Sequence, residues 1–494
     1  MNSRPNILLV FPDQVRADWI EPTATAPVRT PHLKTLAQHG VLFRKCWTPS
    51  PICAPARACM ACGVEYDRSP VKNNGQNVPP GTDTLYRRLS RSGYEVSTVG
   101  KLDLLKGFMD WGEDGRHATT HGGSRLEDLG FTGGVDSAGK HDCLVGFEKG
   151  IAEPFMTYLN GQELGQAHFD DYRQKREPGE QRDLISAYIG RDTDPPPAYS
   201  CLKLSPLPDD AYGDNWVGRQ GLKELRRLLH SNRPWFLTVN FPGPHEPLDI
   251  TASMQARWRD VDFPMPYGRP VANPGLHCEM RRRYAAMINL IDDWLGVYIS
   301  ELQRASLLEN TLVVYASDHG EMLGDLNLWG KSVPHEASIG VPLVMAGPGR
   351  AAESAICDAP VSLLDMCATF LDVAGADAAG YEGASLRPVL EGQARPQRDL
   401  VYSGLGHWRA VSDGRFKLVA GWRENVVAVM TQFGEFDKAS IDGAKLFDLD
   451  ADPHEECDVS TAYPEIHRRL AAALIDAIGP GGEITSGSGG GLGR

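Results

Sequence analysis

Asn6-Ile7-Leu8-Leu9-Val10-Phe11-Pro12-Asp13-Gln14 is the stretch that decides the fold class of this chain. Residues 7–11 are an unbroken apolar run between Pro5 and Pro12. A strand with one face in water alternates apolar and polar positions. An unbroken run reads instead as a strand buried on both faces, as in a parallel sheet covered by helices. Asp13 and Gln14 follow at its carboxyl end, the edge of an open α/β sheet where ligands bind.

The same arrangement recurs along the chain. Residues 82–92 have helical composition, Gly93 stops them, and the strand 94–99 leads to Gly100-Lys101. A helix over 216–231 precedes the strand 235–241, which leads to Pro244-His245-Glu246-Pro247. An amphipathic helix over 277–304 precedes the strand 311–317, which leads to Asp318-His319-Gly320-Glu321. Thr30-Pro31 starts an earlier helix that Gly40 ends, and the strand 341–346 is followed by a helix over 362–374. Strands separated by helices imply crossover connections and a mainly parallel sheet with both faces covered. Asp13, Lys101, His245 and Asp318-His319 then converge on one edge.

Two regions read differently. Residues 105–215 are rich in Gly, Asp, Pro and His and read as substrate-selecting loops inserted over the sheet edge of a catalytic domain spanning 1–385. In 386–480, Trp408-Arg409-Ala410-Val411, Phe416-Lys417-Leu418-Val419 and Lys445-Leu446-Phe447-Asp448 read as short antiparallel strands, with a closing helix over 466–478. The Gly- and Ser-rich residues 481–494 read as a disordered tail.

The chain has 494 residues, with 50 Lys and Arg against 64 Asp and Glu, a net charge of −14. That balance argues against nucleic acid or an anionic membrane as partner. An acidic protein that handles an anion must concentrate positive charge locally. The run at 7–11 is too short for a signal sequence or a membrane span, and the 10 cysteines lack disulfide-scaffold spacing. A cytoplasmic protein is expected.

Cys53-Ala54-Pro55-Ala56-Arg57 follows the turn formers Thr48-Pro49-Ser50-Pro51 and opens a helical stretch that Gly63 stops. Cys53 therefore sits at a helix N-terminus, where unpaired N–H groups and the dipole favour an anion. Cys59 and Cys62, at helical i, i+3 spacing, have no second Cys or His pair and read as core residues.

Together with Val99-Gly100-Lys101, Leu328-Trp329-Gly330-Lys331 and the segment from Lys445 to Glu455, these stretches resemble, nearly end to end, the type I, formylglycine-dependent sulfatases of the alkaline-phosphatase-like superfamily. The resemblance implies an α/β three-layer sandwich with a large mainly parallel sheet, plus a smaller C-terminal domain with a short antiparallel sheet and a helix. It implies a sulfatase acting on an aryl sulfate or a sulfated carbohydrate. The nucleophile would be a formylglycine made from Cys53 by a formylglycine-generating enzyme.

Carried over residue by residue, Asp13, Asp318, His319 and the Cys53 side chain would hold one divalent cation, Ca²⁺ or alternatively Mn²⁺, with Gln14 as a fifth ligand. Gln14 and His319 are similar to the choline sulfatase and phosphonate monoester hydrolase branch. Arg57, Lys101 and Lys331 would hold the sulfate oxygens, and His245 would protonate the departing alcohol. Asp103 would take a proton when the sulfate hemiacetal breaks down, or orient Lys101. Asn74 is either a contact to the transferred group, as in the phosphonate hydrolase branch, or part of an Asn-Gly turn.

The chain departs from the family pattern at Ala56, where Ser is common, at Gly340, where Arg is frequent, and at Asp103, where His is usual. The string Gly100-Lys101-Leu102-Asp103 resembles the arylsulfatase K type, whose relatives act on sulfated uronic acids. His335-Glu336 and His407-Trp408-Arg409 read as solvated loops. Two alternatives accompany the sulfatase reading. One is a phosphonate monoester or phosphodiester hydrolase on the same scaffold; the other is a silent binding protein with Cys53 unoxidised.

Overall fold

Asn6–Asp13 form strand β1, buried at every residue, in a computed structural model that describes residues 4–119, 123–175, 188–189, 195–268, 270–348, 355–393, 396, 398–423 and 434–479. The strands that follow are β2 (Val41–Trp47), β3 (Glu95–Gly100), β4 (Gly133–Asp136), β5 (Tyr188–Ile189) and β6 (Trp235–Pro244). Next come β7 (Thr311–Ala316), β8 (Leu328–Trp329), β9 (Gly340–Ala346), β10 (Ala355–Cys357) and β11 (Val361–Ser362). Strands β5 and β8 pair with each other. The rest form one sheet in the order β10-β2-β9-β7-β1-β6-β3-β4, with β11 also on β2. Every pairing in it is parallel except those of β9, which runs antiparallel between β2 and β7.

The unbroken apolar run of β1 is explained by its place at the centre of this sheet, between β6 and β7. Leu8 and Val10 face one core, built with Leu33, Leu225 and Tyr284 from the helices Pro31–Gln38, Gly213–Leu228 and Pro274–Arg304. Ile7, Leu9 and Phe11 face the other, built with Ala58, Leu89 and Phe370 from the helices Cys53–Cys62, Leu85–Arg91 and Leu363–Ala374. Alternate side chains of one strand thus enter two different cores. Because β7, β1 and β6 are parallel neighbours, Asp318, Asp13 and His245 leave the sheet at the same end.

Strands β12 (Val401–Leu405), β13 (Trp408–Ser412), β14 (Phe416–Ala420) and β15 (Lys445–Asp448) form the C-terminal antiparallel sheet in that order. The helix Pro464–Ile478 packs Leu470 and Leu474 on it.

Several boundaries differ from expectation. The helix expected over 82–92 begins at Leu85, because Thr84 caps it, its Oγ1 accepting the Arg87 N–H at 3.2 Å. Strand β2 is interrupted in sequence by Arg44-Lys45 and was not anticipated, nor was β12. Within 105–215, the short Gly-Gly-Val-Asp strand β4 supplies the sheet's edge. The expected tail, 481–494, lies outside the described residues. No helix among the described residues is long and apolar enough to cross a membrane, and all 10 cysteines are unpaired thiols.

Candidate active site

Local backbone geometry delivers each side chain to the edge. Gly100 ends β3 at φ +88°, and a Cβ there would lie 2.1 Å from the Asn240 carbonyl oxygen. Only glycine lets the chain turn beside β6 and present Lys101. Gln14 and Asp103 also take positive φ, 74° and 59°, a costly conformation for a side-chain-bearing residue and one that clusters at functional sites. Cys53 opens its helix, and the Asn74 Oδ1 accepts the Ala54 N–H at 3.0 Å, satisfying one of that helix's unpaired donors.

Cys53 is the centre of the arrangement and is buried. Its Sγ lies 3.3 Å from His319 Nε2, 3.9 Å from Asp13 Oδ1, 3.4 Å from Lys101 Nζ and 3.5 Å from Lys331 Nζ. Asp13, Cys53, Asp318 and His319 each offer a ligand atom, all within 4.8 Å of one another. The His319 Nδ1–H donates to the Gly320 carbonyl at 3.0 Å, which turns Nε2 toward this group. Such an outer bond fixes the tautomer a metal ligand needs. Two carboxylates and an oriented imidazole around one point fit a divalent cation.

The cationic groups divide. Lys101 donates to Asp13 and lies 3.4 Å from Asp103, which is also 3.5 Å from Lys106. Lys331 donates to Gln14 Oε1. Arg57, expected to hold sulfate oxygens, has two of its three nitrogens engaged within the protein: Nε binds Asp318 at 2.9 Å, and Nη1 binds the Lys101 carbonyl at 2.6 Å. Its Nη2 makes no hydrogen bond and lies 3.8 Å from Asp13. The guanidinium braces the Asp318 carboxylate and leaves Nη2 as a buried donor beside Asp13. His245 stands at the rim, its Nδ1 2.7 Å from the Glu246 carbonyl, so that Nε2 is the ring nitrogen available to a bound ester.

The charges reinforce one another. Burial and Asp13 push the Cys53 thiol up, but Lys101, Lys331 and His319 outweigh them and hold it well below its ordinary value. Burial likewise opposes ionisation of Asp13, and the two lysines keep its carboxyl well below the usual range. Burial also works against Glu246, yet His245 and Lys331 hold it down to about 2. Glu321 is pushed up to about 7 by burial and by the nearby Glu246.

All the expected site residues lie on this edge, with Asn74 in its wall and His245 at its rim. The structure adds Glu246 and Glu321, both inside motifs quoted above, and Tyr199, which no sequence signal marks. The stretch 407–409 is not a solvated loop. Trp408 is buried in β13 and donates its Nε1–H to the Ser332 carbonyl at 3.1 Å, while Arg409 is buried against Asp67. Glu336 is likewise engaged, 3.1 Å from the fully buried Lys417. Cys59 is core, as read. At Gly340 a Cβ would lie 2.8 Å from the Glu336 carbonyl oxygen.

Residues 5–123 and 147–376 match the family model described as sulfatase, and residues 324–478 match that described as N-sulphoglucosamine sulphohydrolase, C-terminal. Choline-sulfatase of Rhizobium meliloti (strain 1021) is 28% identical over 486 residues, spanning 92% of this chain and 81% of its own. Arylsulfatase K of Mus musculus is 26% identical over 488 residues, spanning 97% and 80%. The crystal structure of the phosphonate monoester hydrolase of Agrobacterium radiobacter shares the fold, with a TM-score of 0.71 at 22% identity over 96% of this chain and 95% of its own. With the sulfatase match taking in most of the main sheet and the edge where Cys53 lies, the chain belongs to the sulfatase family, the sulfuric ester hydrolases.

Proposed function

We propose that this chain hydrolyses a sulfate ester, of an aryl alcohol or a carbohydrate, at the residue made from Cys53. The observation that carries the reading is the position of the Cys53 Sγ, flanked by two buried ammonium groups and within one cluster with Asp13, Asp318 and His319. A formylglycine-generating enzyme would convert Cys53. A divalent cation held by Asp13, Asp318, His319 and residue 53, with Gln14 as a further oxygen donor, would supply Lewis-acid activation of that formylglycine. The oxygen-rich set suits Ca²⁺, and the imidazole makes Mn²⁺ the alternative.

The protein's own groups do the rest. Lys101 and Lys331 approach residue 53 from two sides and offer charge-assisted hydrogen bonds to sulfate oxygens. Asp103 holds Lys101 in place. Arg57 fixes Asp318 through its ion pair and stands 3.8 Å from Asp13. His245 Nε2–H gives its proton to the departing alcohol oxygen. The match of the C-terminal region to a model named for N-sulphoglucosamine supports a sulfated carbohydrate as substrate. Unpaired thiols throughout suit a reducing, cytoplasmic setting.

The test is a side-by-side kcat/KM on an aryl sulfate, an aryl phosphonate monoester and a sulfated disaccharide, using protein matured and metal-loaded. The sulfate esters should be preferred. Preference for the phosphonate would move the assignment to a phosphonate hydrolase. Turnover of none of them would leave a binding protein.

A further inference from the structure

Two pieces of the region 105–215, strand β5 and the short helix Pro197–Ser200, are tied to one loop in particular, the one that carries Lys331. Strand β5 pairs antiparallel with β8, Ile189 opposite Leu328 and Tyr188 opposite Trp329. The short helix Pro197–Ser200 then places Tyr199, fully buried, with its ring centroid 4.8 Å from that of Trp329. Its hydroxyl donates to Glu321 Oε2 at 2.8 Å.

Glu321 is a fully buried junction. Its Oε1 accepts the backbone N–H groups of Leu323 at 2.8 Å and Gly330 at 2.7 Å, the latter immediately before Lys331. Its Oε2 accepts from Tyr199 and from the Gln14 amide nitrogen. That same nitrogen donates to Glu246 at 2.9 Å. An amide with carboxylates on its nitrogen has one orientation open to it, so the Gln14 Oε1 must point the other way, where it accepts from Lys331 Nζ.

We infer that Tyr199 and Glu321 are positioning residues for Lys331. Glu321 fixes the backbone just before the lysine and, through Gln14, the acceptor at its tip; Tyr199 couples the helix Pro197–Ser200 to both. The inference rests on the reading of Lys331 as a holder of the sulfate group. It makes the short helix Pro197–Ser200 part of the machinery that sets sulfate affinity, although no atom of Tyr199 need touch substrate.

Tyr199→Phe keeps the ring on Trp329 and removes only the donor. In matured, metal-loaded enzyme, KM for an aryl sulfate and the inhibition constant of inorganic sulfate should both rise roughly five- to tenfold, the usual cost of losing one hydrogen bond. The melting temperature should hardly move. Glu321→Gln should weaken sulfate binding more. The double variant should be no worse than Glu321→Gln alone, because both act through one route. Unchanged KM and sulfate inhibition in Tyr199→Phe, or additive losses in the double variant, would overturn the inference. If Glu321→Gln does not fold, the sulfate inhibition constant of Tyr199→Phe decides by itself. Lys331→Ala in the same assay separates two failures. Sulfate binding lost there but intact in Tyr199→Phe overturns this inference alone; binding intact in both overturns the reading of Lys331 as well.

Discussion

Arg57 Nε lies 2.9 Å from Asp318 Oδ2, both groups buried. The last residue of the Cys-x-Pro-x-Arg stretch is thus bound to a carboxylate of the Asp13, Cys53, Asp318 and His319 group, so that the helix opened by Cys53 and the strand end carrying Asp318 are locked by one ion pair. Removing the arginine would leave two carboxylates buried with less compensation.

The first prediction follows from that pair. Arg57→Ala should destabilise the protein by about 3–5 kcal/mol, the cost of breaking a buried pair from one side. It should also weaken metal binding by about 10- to 100-fold, as outer-shell losses do. Arg57→Lys should recover part of the stability, since it restores charge without the planar fork. Thermal unfolding and metal titration check both numbers.

The metal group itself gives the second. Asp13→Asn or Asp318→Asn removes a negative ligand and should lower both metal affinity and kcat. In Asp13→Asn the Lys101 ammonium also loses its closest carboxylate. Chelation should abolish activity, and Ca²⁺ or Mn²⁺ should restore it. Activity indifferent to chelation, with no metal by elemental analysis, would remove Asp13, Asp318 and His319 from the mechanism.

His245 is tested through the leaving group. A basic sugar oxygen needs a proton as it departs, whereas a nitrophenolate does not. His245→Ala should therefore lose far more kcat/KM on a sulfated sugar than on a nitrophenyl sulfate, while Lys331→Ala should lose similarly on both. Equal losses for His245→Ala would make it a binding residue only.

A pH effect is expected away from the site. Burial pushes the Glu153 carboxyl up to about 7, against the backbone N–H groups of Met156, Phe155 and Ala138 that pull it down. The folded chain thus keeps a proton that the unfolded chain has released once pH passes the ordinary 4.5. The associated stability is complete below that value and is lost as pH rises through about 7. Glu153→Gln imitates the neutral acid, so its stability relative to wild type should improve by on the order of 2 kcal/mol between about pH 5 and about pH 8. Urea unfolding at the two pH values measures it, and a constant difference would contradict it.

What was legible in the sequence follows from where each residue's information lies. The run at 7–11 announces a strand because both of its faces are buried. Val41–Trp47 does not, because Arg44 and Lys45 interrupt it, and Gly133–Asp136 has a single apolar side chain to offer. Asp13, Lys101, His245 and Asp318 were found because polar residues just beyond buried strands have a place fixed by topology. The destinations of their hydrogen bonds were not legible. That Arg57 Nε binds Asp318 depends on the packing of two elements 261 residues apart in sequence. Tyr199 lies in a segment without apolar period, and nothing in that stretch of sequence announces its bond to Glu321.

The central claim is that residue 53 is the nucleophile of a sulfate ester hydrolase. Its most direct test is inorganic sulfate release by Cys53→Ala beside wild type, both expressed with a formylglycine-generating enzyme and loaded with metal. A helix N-terminus tolerates the smaller residue, so the variant should fold with an unchanged melting temperature. It is predicted to release no sulfate above background while wild type turns over. Substantial sulfate release by Cys53→Ala would contradict the account.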